Sequence, residues 1–221
     1  MNYFFITISC YLFFLFIQRK TKLSILNPVL LSITAIIILL IVVGQNYDDY
    51  MYGGRLISIF LGPATVTLAL PLYKNRHILK SRGITVFIGI LTGSFVAILS
   101  VYFLSKLFGI DKTIMLSLLP KSITTPIGME ISEKIGGIPA LTVAVIVITG
   151  ITGNILGPIV LKIFKIKDSV AIGAALGTAS HAIGTSKALE IGEIEGAISG
   201  LSIGIAGLIT SLLIPLLLLL L

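Results

Sequence analysis

The sequence is poor in charge and in the residues that build metal sites and disulfides. Only 11% of its 221 residues are charged, and it has one cysteine and two histidines. With a mean hydropathy of +1.11, this composition excludes an ordinary soluble domain. The single cysteine, Cys10, excludes an intramolecular disulfide. Because cysteine and histidine also lack ligand spacing, we expect no metal and no cofactor.

Enzyme chemistry has no support in the sequence either. No nucleophile, base and orienting group stand at a recognisable spacing. We therefore do not predict an enzyme.

Long apolar runs are what the chain has in abundance. A hydrocarbon core about 30 Å thick needs roughly 20 residues to cross. Seven runs reach or approach that length: 4–17, 28–43, 56–73, 84–108, 138–164, 170–189 and 197–221. They predict one all-α polytopic membrane domain, 1–221, with about seven transmembrane helices. The first run lacks the features of a cleaved leader and precedes basic residues, so we expect a retained helix with its N-terminus outside.

Basic residues cluster in three of the loops. Ten of the sixteen lysines and arginines are Arg19, Lys20, Lys22, Lys74, Arg76, Lys80, Arg82, Lys162, Lys165 and Lys167. The positive-inside rule places these loops in the cytoplasm, so the net charge of +7 reflects orientation and nucleic acid is not an expected partner. The acidic loops, including Glu190 to Glu195, are predicted outside, and the C-terminus is predicted cytoplasmic.

The segment 109–137 has to return to the side from which it starts. It is too short for two full spans at about 1.5 Å per residue. We therefore predict a re-entrant hairpin whose turn lies between Pro120 and Pro126.

An internal repeat supports a transporter architecture. The stretch "LGPATVTLALPLYK" at 61–74 aligns with "LGTASHAIGTSK" at 176–187, and the same shift aligns "IGI" at 88–90 with "IGI" at 203–205. The predicted topology gives repeat 26–108 and repeat 138–221 opposite orientations. Inverted repeats with interrupted helices are typical of secondary transporters, whose site lies near the midplane.

The interruptions supply the candidate binding residues. Proline and glycine at 62–63 break a helix, and the N–H groups at a half-helix start suit a carboxylate. Hydroxyl groups nearby can donate to and accept from an oxygen-rich ligand. The candidates for substrate binding are Gly62, Pro63, Thr65, Thr67, Lys121, Ser122, Thr124, Thr125, Gly177, Thr178, Ser180, His181 and Thr185.

Buried ionisable residues carry most of this hypothesis, because charge at membrane depth is costly unless it is paired or wetted. Lys121 meets an anion if the hairpin enters the membrane, and is a surface residue if it does not. His181 either carries a proton or donates to a carboxylate, or it satisfies an open backbone carbonyl.

Three further polar residues have open interpretations. Lys187 either contacts substrate or forms an interfacial pair with Glu190. Glu130 is a candidate partner of Lys121 or Lys187, in an ion pair or in coupling. Asn154, surrounded by glycines, is read as a helix-packing hydrogen bond in preference to a ligand contact.

Three motifs carry a family resemblance. "FLGPATVTLALPLYKNR", "LLPKSITTPIGMEIS" and "LGTASHAIGTSKALE" resemble the LrgB/CidB family, and their wording is closer to the CidB side. The resemblance implies a multi-pass protein of the bacterial plasma membrane. It also implies a holin-like or antiholin-like regulator of murein hydrolase activity and lysis, working with a small LrgA/CidA-type membrane partner. Relatives resemble carriers of pyruvate in bacteria, and of glycolate and glycerate in plastids.

Two functions compete on these grounds. The first is transport of a small monocarboxylate, linked to lysis control, by a chain that also forms a homo-oligomer in the lipid bilayer. The second is a holin-type regulatory or pore-forming protein without specific substrate transport.

Overall fold

The computed structural model describes residues 3–21, 26, 28–60, 63, 66, 73–74 and 76–220. This described part forms nine α-helices and contains no strand. The chain divides into two compact units, Met1–Thr67 and Leu68–Leu221. Of the candidate binding residues, Gly62, Thr65 and Thr67 lie outside the described residues.

The first unit contains α1 (Tyr3–Thr21), α2 (Pro28–Val43) and α3 (Tyr47–Ile59). The apolar runs predicted at 4–17 and 28–43 form α1 and α2. Gly53 of α3 lies so close to α1 that an added Cβ would stand 2.8 Å from the backbone nitrogen of Phe4. The hydroxyl of Thr7 donates to that of Tyr50 over 3.4 Å.

The second unit contains the other six helices. They are α4 (Arg76–Leu107), α5 (Lys112–Leu118), α6 (Thr125–Ile135), α7 (Pro139–Ile163), α8 (Ser169–Ile191) and α9 (Glu193–Leu220). Four helices in the described part of the chain are long and apolar enough to cross a membrane: Tyr3–Thr21, Lys80–Leu107, Pro139–Ile163 and Glu193–Leu219. The chain is therefore an all-α membrane protein.

The helices α5 and α6 form a helix–turn–helix, the first hairpin (112–135). Its turn lies where the sequence predicts one, because α5 ends at Leu118 and α6 begins at Thr125. Buried hydroxyls attach its base to α7. The Thr142 hydroxyl lies 2.9 Å from the Ser117 carbonyl and 2.7 Å from the Ser132 hydroxyl.

The helix α8 also reverses direction and forms the second hairpin (169–191). Ser180 (φ −137°, ψ 17°) and His181 (φ 43°, ψ −136°) have non-helical backbone angles. Ser199 of α9 contacts both sides of this break, since it lies against Gly177 and its hydroxyl is 2.7 Å from that of Thr185. Gly173 packs on Ile198, close to the start of α9. If α8 were straight, Gly173 would lie about 27 Å from the C-terminal end of α8, where α9 begins. The two halves of α8 therefore fold back on each other.

This reversal contradicts the prediction of a single span at 170–189. It also sets the direction of α9, which runs parallel to α4. Near the start of both helices, Val86 and Ile198 share one apolar cluster, and near their ends Val101 and Ile214 share another.

The predicted sides of the membrane change accordingly. The acidic segment 190–195 lies at the same end of the unit as the basic loop 162–167, and the C-terminal end of α9 lies at the opposite end. The expected placement of these two features relative to the basic loops is thus wrong. The physical reason is that acidic residues contribute little to orientation, while a folded-back segment has the same length and polarity as a crossing one.

Thiol labelling tests this topology. In a Cys10→Ser background, cysteines at Glu193 and Lys165 should react with a membrane-impermeant reagent from one side, and a cysteine at Lys112 from the other. The measurement compares intact cells with inverted vesicles. Labelling of Glu193→Cys from the side of Lys112→Cys would contradict the reversal.

Candidate functional site

The turns of both hairpins lie beside the middle of α7. Gly128 of the first hairpin lies under the Ile146 side chain, and the His181 Nε2 of the second donates to the Ile146 carbonyl over 2.9 Å. The first hairpin starts from the N-terminal end of α7 and the second from its C-terminal end. By residue count, Gly128 lies about 10 Å along α7 from its N-terminal end, and His181 lies beside Gly150, about 20 Å from its C-terminal end.

Glycines on α7 allow the second hairpin to approach closely. A Cβ at Gly153 would stand 1.6 Å from the Ser180 hydroxyl oxygen, and one at Gly150 would stand 2.6 Å from the His181 ring. Beside them, the Asn154 amide donates to the Ile183 carbonyl over 3.0 Å. Asn154 therefore makes the helix-packing bond that the sequence favours.

His181 holds the break of α8 in place. Its side chain is 4% exposed. Its backbone carbonyl accepts a hydrogen bond from Thr185 over 3.0 Å, and its ring Nε2–H is used by the carbonyl of Ile146. Of the two interpretations left open by the sequence, these contacts favour the structural one.

A cavity of about 590 Å³ lies between α4 and the two hairpins. Small apolar residues form most of its wall, including Gly89 and Gly93 of α4 and Ala174 and Ala175 of α8. The polar lining consists of Arg82, Thr85, Lys121, Ser122, Asp168 and Thr178. The cavity thus brings together the turn of the first hairpin and the last turn before the break in the second.

Among the polar groups of this cavity that are at least half-buried, Lys121 and Thr178 lack strong partners in the described part of the chain. The Lys121 ammonium donates to the Ser122 hydroxyl over 3.3 Å, and no ion pair to it occurs in the described part of the chain. Thr178 is 6% exposed, packs its methyl group on Gly93, and has no hydrogen-bond partner for its hydroxyl among the described residues. A buried hydroxyl and a half-buried cation without partners are energetically costly unless a ligand or water satisfies them.

An ion pair lies on the same cavity at the end where α8 begins. The Arg82 guanidinium donates to the Asp168 carboxylate over 2.6 Å. The Asp168 carboxylate also accepts the Ala171 N–H over 3.0 Å and so caps α8. The hydrogen bond from Arg82, with that from Ala171 second, lowers the pKa of Asp168 below its ordinary value. Since the pKa is lowered, the pair is fully formed at neutral pH and is lost only as the pH falls through this pKa.

Five other described candidates belong to the second unit without contributing to this cavity. Thr124, Thr125, Gly177, Ser180 and Thr185 do not line it. Pro63 is exposed and belongs to the first unit. Two candidates form exposed ion pairs within their own helices: Glu130 with Lys134 at 2.7 Å, and Lys187 with Glu190 at 2.8 Å.

Sequence reasoning missed the wall formed by α4 and the pair at its end. Arg82 was interpreted only as an orientation signal. Asp168 directly follows the basic loop 162–167 and was not selected as a candidate. The glycines at 89 and 93, four residues apart and so on one helix face, were the available signal.

Removing the His181 ring should lower stability. His181→Ala leaves the Ile146 carbonyl short of a buried donor, which costs about 1–3 kcal/mol and lowers the apparent Tm of the detergent-solubilised protein by several degrees. His77→Ala changes the other histidine, an exposed one, and should leave Tm unchanged. An unaltered Tm for His181→Ala would refute the structural role.

Adding a methyl group at the α7–α8 contact should lower the stability by a similar amount. Gly153→Ala forces Ser180 away from α7, and overpacking of this kind costs about 1–3 kcal/mol. The matched control is Gly204→Ala on α9, where nothing lies within 4 Å of an added Cβ. Thermal unfolding should distinguish the two variants, and equal Tm values would disprove the close approach.

Comparison with known proteins identifies the family of this chain. The LrgB-like family model matches residues 7–220. The uncharacterized protein YxaC of Bacillus subtilis is 41% identical over 211 residues, covering 96% of this chain and 92% of YxaC. The holin-like protein CidB of Staphylococcus aureus is 40% identical over 215 residues, covering 97% and 94% of the two chains. CidB of Staphylococcus epidermidis is 42% identical over 204 residues, covering 92% and 89%.

No solved structure matches the chain. The family match and these relatives extend over nearly its whole length. The chain therefore belongs to the LrgB-like family.

Proposed function

We propose that this protein transports a small monocarboxylate, such as pyruvate or glycolate, across the bacterial plasma membrane. The observation that carries the proposal is the cavity in which the Lys121 ammonium and the Thr178 hydroxyl lack strong partners. One half-buried cation without an ion pair suits one carboxylate, because a second negative charge on the ligand would be left unpaired.

The ligand's contacts follow from the chemistry of the lining. The carboxylate accepts from Lys121 and from the Ser122 hydroxyl beside it. The Thr178 hydroxyl then donates to, or accepts from, the oxygen on the neighbouring carbon of a hydroxy or oxo acid. Glycine and alanine side chains leave room for a short apolar body and for water, in a cavity of the size usual for small-ligand sites.

The two hairpins supply the conformational step. We place both as re-entrant segments, entering the membrane from opposite sides with their turns at the cavity. Movement of one turn away from α4 opens the cavity to one side, while the other hairpin keeps the second side closed, as alternating access requires. We keep the repeats 26–108 and 138–221 in this proposal without their inversion, because α4 and α9, which the repeat aligns at 88–90 and 203–205, run parallel.

The relatives support a role in lysis. The name of CidB, holin-like protein, supports a role for this chain in controlling murein hydrolase activity and lysis. We propose that carboxylate flux acts on that process, together with a small LrgA/CidA-type partner and in a homo-oligomer. The second candidate, a holin-type regulator or pore without specific transport, rests on the same names.

Liposome uptake of labelled pyruvate, lactate, glycolate and glycerate tests the proposal, with the small partner co-reconstituted. Lys121→Ala should reduce uptake by about tenfold to a hundredfold, as expected for loss of a charged hydrogen bond. Thr178→Val, which keeps the shape but removes the hydroxyl, should reduce uptake by about fivefold. Lys134→Ala, an exposed lysine outside the cavity, is the control and should transport normally.

Lysis measurements on the same variants separate the two candidate functions. The carrier is supported if the unaltered protein takes up one of the acids and Lys121→Ala both loses this uptake and changes the lysis phenotype. Absence of uptake for all four acids, with lysis unchanged in Lys121→Ala, supports the holin-type regulator and refutes the carrier.

A further inference from the structure

A second cavity, of about 430 Å³, lies at the opposite end of α4 from the Arg82–Asp168 pair. It is formed where the ends of α4 and α9 meet the base of the first hairpin. Its lining is Tyr102, Lys106, Ile110, Lys112, Met115, Leu116, Ile135 and Leu218. It shares no residue with the cavity of the proposed transport site.

The second cavity has a basic part and an apolar part. Lys106 and Lys112 are exposed and form no ion pair in the described part of the chain. The Lys106 ammonium lies over the ring of Tyr102, 5.6 Å from its centroid. Below them, Met115 and Leu116 are buried, and Ile135 and Leu218 complete an apolar floor.

Two acidic side chains of this region are already engaged, and the third, the exposed Glu133, lies about 200° around α6 from the lining residue Ile135. The Asp111 carboxylate accepts the Thr113 N–H over 2.8 Å and caps α5. Glu130 of α6 is paired with Lys134 at 2.7 Å. The two lysines of the second cavity thus present positive charge to whatever occupies it.

The position of the second cavity along α4 indicates that its occupant comes from the membrane. Lys106 belongs to the last turn of α4, at the end of a helix long and apolar enough to cross a membrane. The lysines therefore lie at headgroup depth and the apolar floor at the depth of the first acyl carbons. Basic pockets at this level between membrane helices suit anionic lipid headgroups.

We propose that the second cavity binds an anionic phospholipid, with its phosphate between Lys106 and Lys112 and its acyl chains over Met115, Leu116 and Leu218. This site does not depend on the transport function. A bound lipid there bridges α4, α9 and the base of the first hairpin.

The test uses the full chain purified in detergent, with phosphatidylglycerol, phosphatidylcholine or inorganic phosphate added. Native mass spectrometry counts retained lipid, and thermal unfolding measures stabilisation, since a ligand bound to the native state raises Tm. We expect phosphatidylglycerol to be retained and to raise Tm more than phosphatidylcholine. Inorganic phosphate should have no effect, because it cannot occupy the apolar floor. Equal effects of the two lipids, or a shift reproduced by phosphate alone, would overturn the proposal.

Charge variants locate the site. Each lysine near an anionic headgroup contributes about a fivefold gain in affinity, so Lys106→Gln with Lys112→Gln should weaken phosphatidylglycerol binding about thirtyfold. Lys165→Gln with Lys167→Gln removes the same charge from the other end of the unit and should bind normally. Lys112→Gln alone changes one exposed side chain without risk to folding and should lose about fivefold. Unchanged binding in that variant, or equal loss in the control pair, would place the lipid elsewhere.

Discussion

A backbone that reverses direction at membrane depth has to cover its own polar groups, because hydrocarbon offers them no hydrogen bonds. The second hairpin meets this constraint by pressing its turn against α7. Glycine at 150 and 153 removes the side chains that would keep the two backbones apart, and the carbonyls of Ile146 and Ile183 accept side-chain donors from across the contact. The rest of the second unit depends on this contact. It fixes the direction of α9 and brings Thr178 to the wall of the cavity beside α4.

Much of this unit could be predicted from the sequence. Apolar runs of sufficient length predicted α1, α2, α4, α7 and α9, and the charge of the surrounding loops required a hairpin between α4 and α7. Its turn was placed correctly because Pro120 and Pro126 bracket a short polar stretch between two apolar ones. Helix lengths and turn positions depend on residues close together in the chain, so composition and spacing are sufficient to predict them.

The reversal in α8 could not be predicted in the same way. The glycines and hydroxyls of "LGTASHAIGTSK" indicated an interruption but not its angle. A broken span that continues and one that turns back have the same length and the same residues. The difference lies in partners on other helices, such as Gly153 of α7 and Ser199 of α9. For the same reason Lys121, Ser122 and Thr178 could be selected as polar residues in apolar surroundings, whereas Arg82 and Asp168 could not.

The bases of the two hairpins are attached by different forces. Hydroxyl groups buried at Ser117, Ser132 and Thr142 hold the base of the first, out of reach of dissolved ions. The base of the second is attached to α4 by Arg82 and Asp168, about half exposed. Dissolved salt weakens an exposed ion pair and leaves buried hydroxyl bonds nearly unchanged. Ionic strength therefore acts on the attachment of the second hairpin to α4 and not on the hydroxyl attachment of the first to α7, so the two ends of this unit differ in their sensitivity to the salt around them.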